Sequence, residues 1–140
     1  MNLEQRLIAL LTVLPRELAF GQEDPGTVLD RYYTPEIVYV SDGIALDRDR
    51  LVAHARPARR NGRLLRVDVH ETLVSGDRAA ARSVLHAVMR KGKAVTMEIY
   101  TFARFAPDGR VYRIDSITRA LPAPDPAPAP APDPADGLTR

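Results

Sequence analysis

From Leu64 to Leu121 apolar and polar residues succeed one another in strand-like runs, broken by only three turn signals: Ser75-Gly76-Asp77, Lys91-Gly92-Lys93 and Pro107-Asp108-Gly109. Four strands joined by such short connections pair as an antiparallel meander. Upstream the period is helical. Leu3, Leu7, Leu10, Leu11 and Leu14 share one helix face. Pro15 cannot continue that helix without a kink, so either it bends there or a second helical turn runs from Pro15 to Phe20. Gly21 ends it. Asp24-Pro25 reads as an N-cap and first helical position, opening a short helix that carries Val28, Leu29, Tyr32 and Tyr33 and stops at Thr34-Pro35. Ile37 to Val40 is a short strand, Ser41-Asp42-Gly43 a turn. Asp47 or Asp49 caps a further helix with Leu51, Val52, Ala55 and Ala58, closed by Gly62. The pattern predicts an α+β fold: three N-terminal helices and a cone-shaped, curved antiparallel sheet around a pocket.

Composition changes this picture only at the end of the chain. Beyond Leu121 seven of the twelve prolines alternate with alanine and aspartate. Such a segment cannot bury enough surface to offset its ordering entropy. It predicts a domain at 1–121 followed by a disordered Pro/Ala-rich tail at 122–140, whose removal leaves stability unchanged. The body is large enough for a real core.

Charge and candidate chemistry exclude more than they assign. The chain has no cysteine, so disulfides and thiolate chemistry drop out. The apolar patch from Leu7 to Leu14 is too short to span a membrane, and Glu4 argues against a signal peptide, which leaves a cytoplasmic protein. Eighteen arginines against two lysines fit a GC-rich, bacterial genome. Arg56, Arg59, Arg60, Arg63 and Arg66 form the one dense basic cluster, but no aromatic residue lies within it. A solvated helix end explains it better than nucleic acid does. The three histidines fall on three elements with no short ligand spacing, so no metal is expected. No glycine-rich phosphate loop or nucleophile elbow is present, and no cofactor is expected.

Turn chemistry predicts which side chains share a face. Pro107-Asp108-Gly109 fits a three-residue hairpin loop pairing Ala106 with Arg110. Continued without interruption, that register sets Tyr100 opposite Ser116, Phe102 opposite Ile114, Arg104 opposite Tyr112 and Glu98 opposite Thr118. A tight turn at Lys91-Gly92, pairing Arg90 with Lys93, adds Ala81, Ser83 and Leu85 to the same face. This face mixes aromatic, small and hydroxyl residues with one carboxylate, as ligand pockets do. The opposite face would carry Val84, His86, Val88, Val95, Met97, Ile99, Phe105, Val111 and Ile117. Two apolar faces call for two coverings: helices on one side and a second copy of the chain on the other. In the first hairpin a Gly76-Asp77 loop would turn Asp68, His70 and Thr72 inward. A Ser75-Gly76-Asp77 loop would turn Val67, Val69, Glu71 and Leu73 inward, and is preferred because it buries more apolar surface.

Tyr32 to Tyr39 (YYTPEIVY), Gly76 to Arg82 (GDRAAAR) and Phe102 to Val111 with its Asp108-Gly109-Arg110 turn resemble the nuclear-transport-factor-2-like superfamily, in its SnoaL-like and ketosteroid-isomerase-like branch. The resemblance covers Leu7 to Leu121. It implies a cone sheet with three helices, a deep pocket and dimers through the outer sheet face. Carried over residue by residue, a ketosteroid-isomerase site places the general base at Val40, with Asp42 two residues away. The first-helix tyrosine falls at Leu14 and the oxyanion-holding acid at Tyr100. One of three roles is filled, by a different residue, which argues against ketosteroid isomerisation.

The candidate catalytic residues are therefore Tyr100, a phenol able to polarise a carbonyl, Asp42, and Glu98, a base if burial raises its pKa. His54, Ser83, Leu85, Phe102, Tyr112, Ile114 and Ser116 are the expected pocket lining. The reading is a binding or accessory homodimer for a small apolar molecule. The alternative is an isomerase- or cyclase-type enzyme moving a proton on an apolar carbonyl compound.

Overall fold

Asn2 opens α1 (Leu3–Thr12) with a reciprocal cap in the computed structural model, which describes residues 1–122 except the side chains of 58 and 60–64. The Asn2 side chain accepts from the Gln5 N–H, and the Gln5 side chain accepts from the Asn2 N–H. The helix breaks at Val13 and restarts as α2 (Leu14–Phe20), with Pro15 in its first turn, where no intrahelical N–H bond is lost. Asp24 caps α3 (Pro25–Tyr32) by accepting from the Thr27 N–H at 3.3 Å. Of the two aspartates considered for the last helix, α4 (Arg48–Asn61), Asp47 is the cap, accepting from the Arg50 N–H at 2.9 Å.

The strands are β1 (Tyr33–Ser41), β2 (Ile44–Leu46), β3 (Gly62–Ser75), β4 (Arg78–Met89), β5 (Ala94–Phe105) and β6 (Val111–Ala120). They form one sheet in the order β2-β1-β6-β5-β4-β3. The meander is antiparallel, but β1 lies parallel to β6, so the sheet is mixed rather than wholly antiparallel. It is curved and does not close. β1 begins earlier than expected. Pro35 is tolerated inside it because the ladder to β6 is interrupted between Tyr33 and Val38.

The helices cover one sheet face. Leu7, Leu10 and Leu14 from α1 and α2, with Val28 and Leu29 from α3, bury against Ala103, Phe105, Val111 and Ile114. Full burial of one such side chain contributes about 1.5–3 kcal/mol. Among the described residues no helix is long and apolar enough to cross a membrane. The proline-rich tail lies outside the described residues beyond Pro122; Leu121 still donates its N–H to the Thr96 carbonyl at 2.9 Å.

Three local details overturn the expected register. At the β4–β5 turn Met89 donates to the Lys93 carbonyl, so Arg90, Lys91 and Gly92 make a three-residue loop, with Gly92 left-handed at φ 81°. Ser83 then faces Ile99, not Tyr100. At the β5–β6 turn Ala106 pairs with Arg110 as expected, but a bulge leaves Tyr112 without a partner. Thr101 meets Ser116, and Ala103 meets Ile114. Both slips turn β5 over. Tyr100, Glu98 and Phe102 lie on the outer face, and Met97, Ile99 and Phe105 on the helix side. Val111 is fully buried on the same side.

In the first hairpin the loop is the two-residue Gly76-Asp77, so Leu73 and Glu71 point outward. A bulge at His70 shifts the ladder by one and brings Val69 opposite Ser83 and Val67 opposite Leu85.

Candidate functional site

Between the sheet and helices α1, α2 and α4 lies an open cavity of about 460 Å³. Leu10, Leu14 and Leu18 roof it. Leu65, Val67, Leu85 and Ile99 form its sheet wall, and Leu51 and Ala55 of α4 close its side. Six side chains bring polar atoms to it: Tyr33, Tyr39, Ser41, His54, Ser83 and Thr101. Among the described lining residues none is an aspartate or glutamate.

The polar groups divide by depth. Ser83 and Thr101 are buried on neighbouring strands, at 0% and 2% exposure. Neither hydroxyl has a hydrogen-bond partner among the described residues. Thr34 and Ser116 carry buried hydroxyls in the same state, and a buried hydroxyl without a partner is costly. The rings of Tyr33 and Tyr39 meet edge to face, centroids 6.5 Å apart. Burial pushes the Tyr33 phenol well above its ordinary pKa, and the phenol of Tyr39 beside it adds to the shift. Burial also raises the Tyr39 phenol, and the nearby Ser116 hydroxyl works the other way. Both phenols are held in the protonated, donating form at neutral pH.

At the outer end sits His54, exposed on α4. Its Nδ1 lies 2.7 Å from the Arg50 carbonyl one turn back, so Nδ1 carries the proton that bonds this oxygen. In the neutral ring Nε2 then keeps its lone pair.

The structure separates the residues expected to act together. His54, Ser83 and Leu85 line the cavity. Ile114 is fully buried in the core, and Ser116 is buried beside Tyr39. Tyr100 and Phe102 are 43% and 65% exposed on the far side of the sheet, and Tyr112 is exposed at its bulge. Glu98 shares that far side and pairs with Arg119 at 3.0 Å.

Asp42 is a left-handed turn residue with φ 51°. Its carboxylate accepts from the Thr118 hydroxyl at 2.5 Å and the Thr118 N–H at 2.7 Å. These two bonds hold its pKa below the ordinary aspartate value. A depressed carboxylate tied to the turn is a poor base. Thr118→Val should let the Asp42 pKa rise toward the ordinary value, read by NMR titration. Any stability lost in this variant should shrink as the pH falls through the Asp42 pKa, because protonation of the carboxylate weakens the same bond in the unmodified protein. An unchanged pKa would show that the Thr118 hydroxyl does not set it.

Tyr33, Tyr39 and Thr101 are absent from the sequence-derived candidates. For the tyrosines a signal existed: Tyr33, Ile37 and Tyr39 keep a period of two that extends the strand upstream. Thr101 required the true register.

The arrangement, a curved mixed sheet and helices around an apolar cavity, is a cone fold. Residues 17–114 match the SnoaL-like domain family, and the chain belongs to it. An uncharacterized protein of Schizosaccharomyces pombe is 29% identical over 90 residues, 64% of this chain and 68% of that protein. Among solved structures, a putative hydroxylase of Streptomyces galilaeus, AclR, superposes with a TM-score of 0.65 at 17% identity, over 86% of this chain and 83% of its own. An NTF2-like protein of unknown function from Exiguobacterium reaches a TM-score of 0.66 at 16% identity, covering 87% of this chain and 100% of its own. At these identities the likeness concerns the fold.

Proposed function

We propose that the chain binds a small, mainly apolar molecule carrying an oxygen function, and holds that oxygen at the hydroxyl-lined end of the cavity. The observation behind this is the pair of buried, unpartnered hydroxyls, Ser83 and Thr101, within a mainly apolar lining. Two protonated phenols nearby add donors for a carbonyl oxygen. The described lining holds no carboxylate to serve as a base, which favours binding over chemistry.

The test is displacement of a neutral apolar dye such as Nile red by tetralone and by its deoxygenated counterpart, tetralin. Tetralone should bind more tightly. Ser83→Ala with Thr101→Val should remove the preference, about 0.5–1.5 kcal/mol per hydrogen bond. Equal binding of the two compounds to the unmodified protein would overturn the reading.

A second reading has one observation in its favour, the free Nε2 of His54. With Nδ1 engaged at the Arg50 carbonyl, Nε2 could take a proton from carbon next to a carbonyl held by the phenols. Exchange of the α-protons of tetralone into heavy water, followed by NMR and abolished in His54→Gln, would establish this reading against the first.

We also infer a homodimer through the outer sheet face. Leu73 on β3, Phe102 on β5 and Ile117 on β6, 70%, 65% and 67% exposed, stand there with Tyr100; Leu73 and Phe102 lie on either side of Ala80 in β4. Exposed apolar side chains gathered on one face mark an interaction surface.

A further inference from the structure

The cavity has a deep end and a mouth. Tyr33, Ser83 and Thr101 are buried, whereas Leu65, Ala87 and Met89 are half-buried, and Phe20 and His54 are exposed. The mouth therefore lies where the end of β4 and the start of β3 meet the C-terminal part of α2 and the flank of α4. Gly62 pairs with Met89 there.

Two segments that hold no acid converge on this end. One runs from Arg50 to Val67, the other from Arg78 to Met97. The first crosses α4 into β3, and the second crosses the β4–β5 turn. Six cations belong to this end: Arg16 and Arg59 contact lining residues, Arg56 follows the lining Ala55, and Arg90, Lys91 and Lys93 lie in and beside the loop that follows the lining Met89. Among the described residues none of the six has a carboxylate within ion-pair distance. Elsewhere most arginines face a carboxylate, as in Arg48–Asp30, Arg110–Asp108 and Arg113–Asp115, although Arg6, Arg50, Arg78 and Arg104 have none within ion-pair distance among the described residues.

Two of the six are fixed in place by neutral partners. Arg16 donates Nη1 to the Leu65 carbonyl at 2.7 Å and lies over the Phe20 ring, 5.9 Å from its centroid. Arg59 donates Nε to the Leu18 carbonyl at 2.7 Å and Nη2 to the Glu17 carbonyl at 3.2 Å, closing the C-terminal end of α2. Leu65, Phe20 and Leu18 all line the cavity. The bonds orient both guanidiniums at the rim without a carboxylate in ion-pair contact, although Glu23 lies close enough to Arg59 to feel its charge. The nearest acid on α2, Glu17, faces Arg31 at 3.7 Å.

We propose that the mouth receives an anionic group, so that the ligand class is the amphipathic acid: an apolar body inside the cavity and a carboxylate or similar anion among the rim cations. This rests on the reading of the cavity as a ligand site. Like charges gathered around an opening repel one another, and an anion seated among them relieves that repulsion.

The test uses three probes with the same apolar body, decanoate, decanol and decyltrimethylammonium, each displacing Nile red from the full chain. Decanoate should bind about tenfold more tightly than decanol at low salt, the size of one rim ion pair. The margin should close in high salt, where screening shortens to a few ångströms. Lys91→Glu with Lys93→Glu changes only exposed loop residues and should remove the margin while leaving decanol unaffected. If decanol or decyltrimethylammonium matches decanoate at low salt, the mouth has no seat for an anion and the inference falls, with the cavity reading intact. If none of the three displaces the dye, the cavity reading falls too.

Discussion

Ile114→Ala is expected to lower the stability of the protein by about 2–5 kcal/mol in urea unfolding, with the slope of the transition unchanged. Ile114 is fully buried on β6. Its strand neighbours are Ala103 on one side and Tyr39 on the other. Ala103 is too small to fill the space left by the three deleted side-chain carbons, and Tyr39 is held by its contact with Tyr33. The cavity created would therefore stay open, which puts the cost toward the upper part of the range. A loss below about 1 kcal/mol would mean that β6 does not sit at the centre of the core.

Phe102→Glu should convert a homodimer into a folded monomer. Phe102 is 65% exposed in the isolated chain, so a glutamate there costs the monomer little. Buried against a second copy it would be an unpaired charge, about 3–5 kcal/mol, or at least a hundredfold in the dimer dissociation constant. Sedimentation velocity reads the change in mass, and circular dichroism confirms that the fold persists. A wild-type protein that sediments as a monomer at tens of micromolar would overturn the interface.

The architecture was legible because it follows from local signals. Asn2, Asp24 and Asp47 cap the helices expected near them, and three glycine turns divide the meander into its four strands. The site was less legible because it depends on alternation, and alternation is reset by single residues. Tyr112 and His70 each sit in a bulge that no local propensity announces. The lysine-glycine turn accepts either a two- or a three-residue loop. The β5 reading therefore inverted, exchanging Tyr100 for Thr101 and Glu98 for Ile99 at the pocket wall. Ser83 and Leu85 kept their face because one slip lies in the loop after β4 and the other at Tyr112 on β6. Asp42 stood out in the sequence as a lone acid near the expected base position. Its two bonds to Thr118 come from a strand distant in the chain, which no spacing rule reaches.

The parallel seam between β1 and β6 sets an order of events. Each hairpin of the meander joins neighbours in the chain, but Tyr39 finds Ile114 only after most of the domain has been traversed. Pairings of such long sequence separation are the slow ones, because loop-closure entropy must be overcome before the contact contributes. Tyr33 and Tyr39 arrive at the cavity on that late strand. A chain whose hairpins have formed but whose seam is open would hold the serine and threonine hydroxyls without the phenols. Ligand recognition should thus be the last property acquired in folding, and a refolding experiment should show dye binding appearing after the main gain of sheet signal.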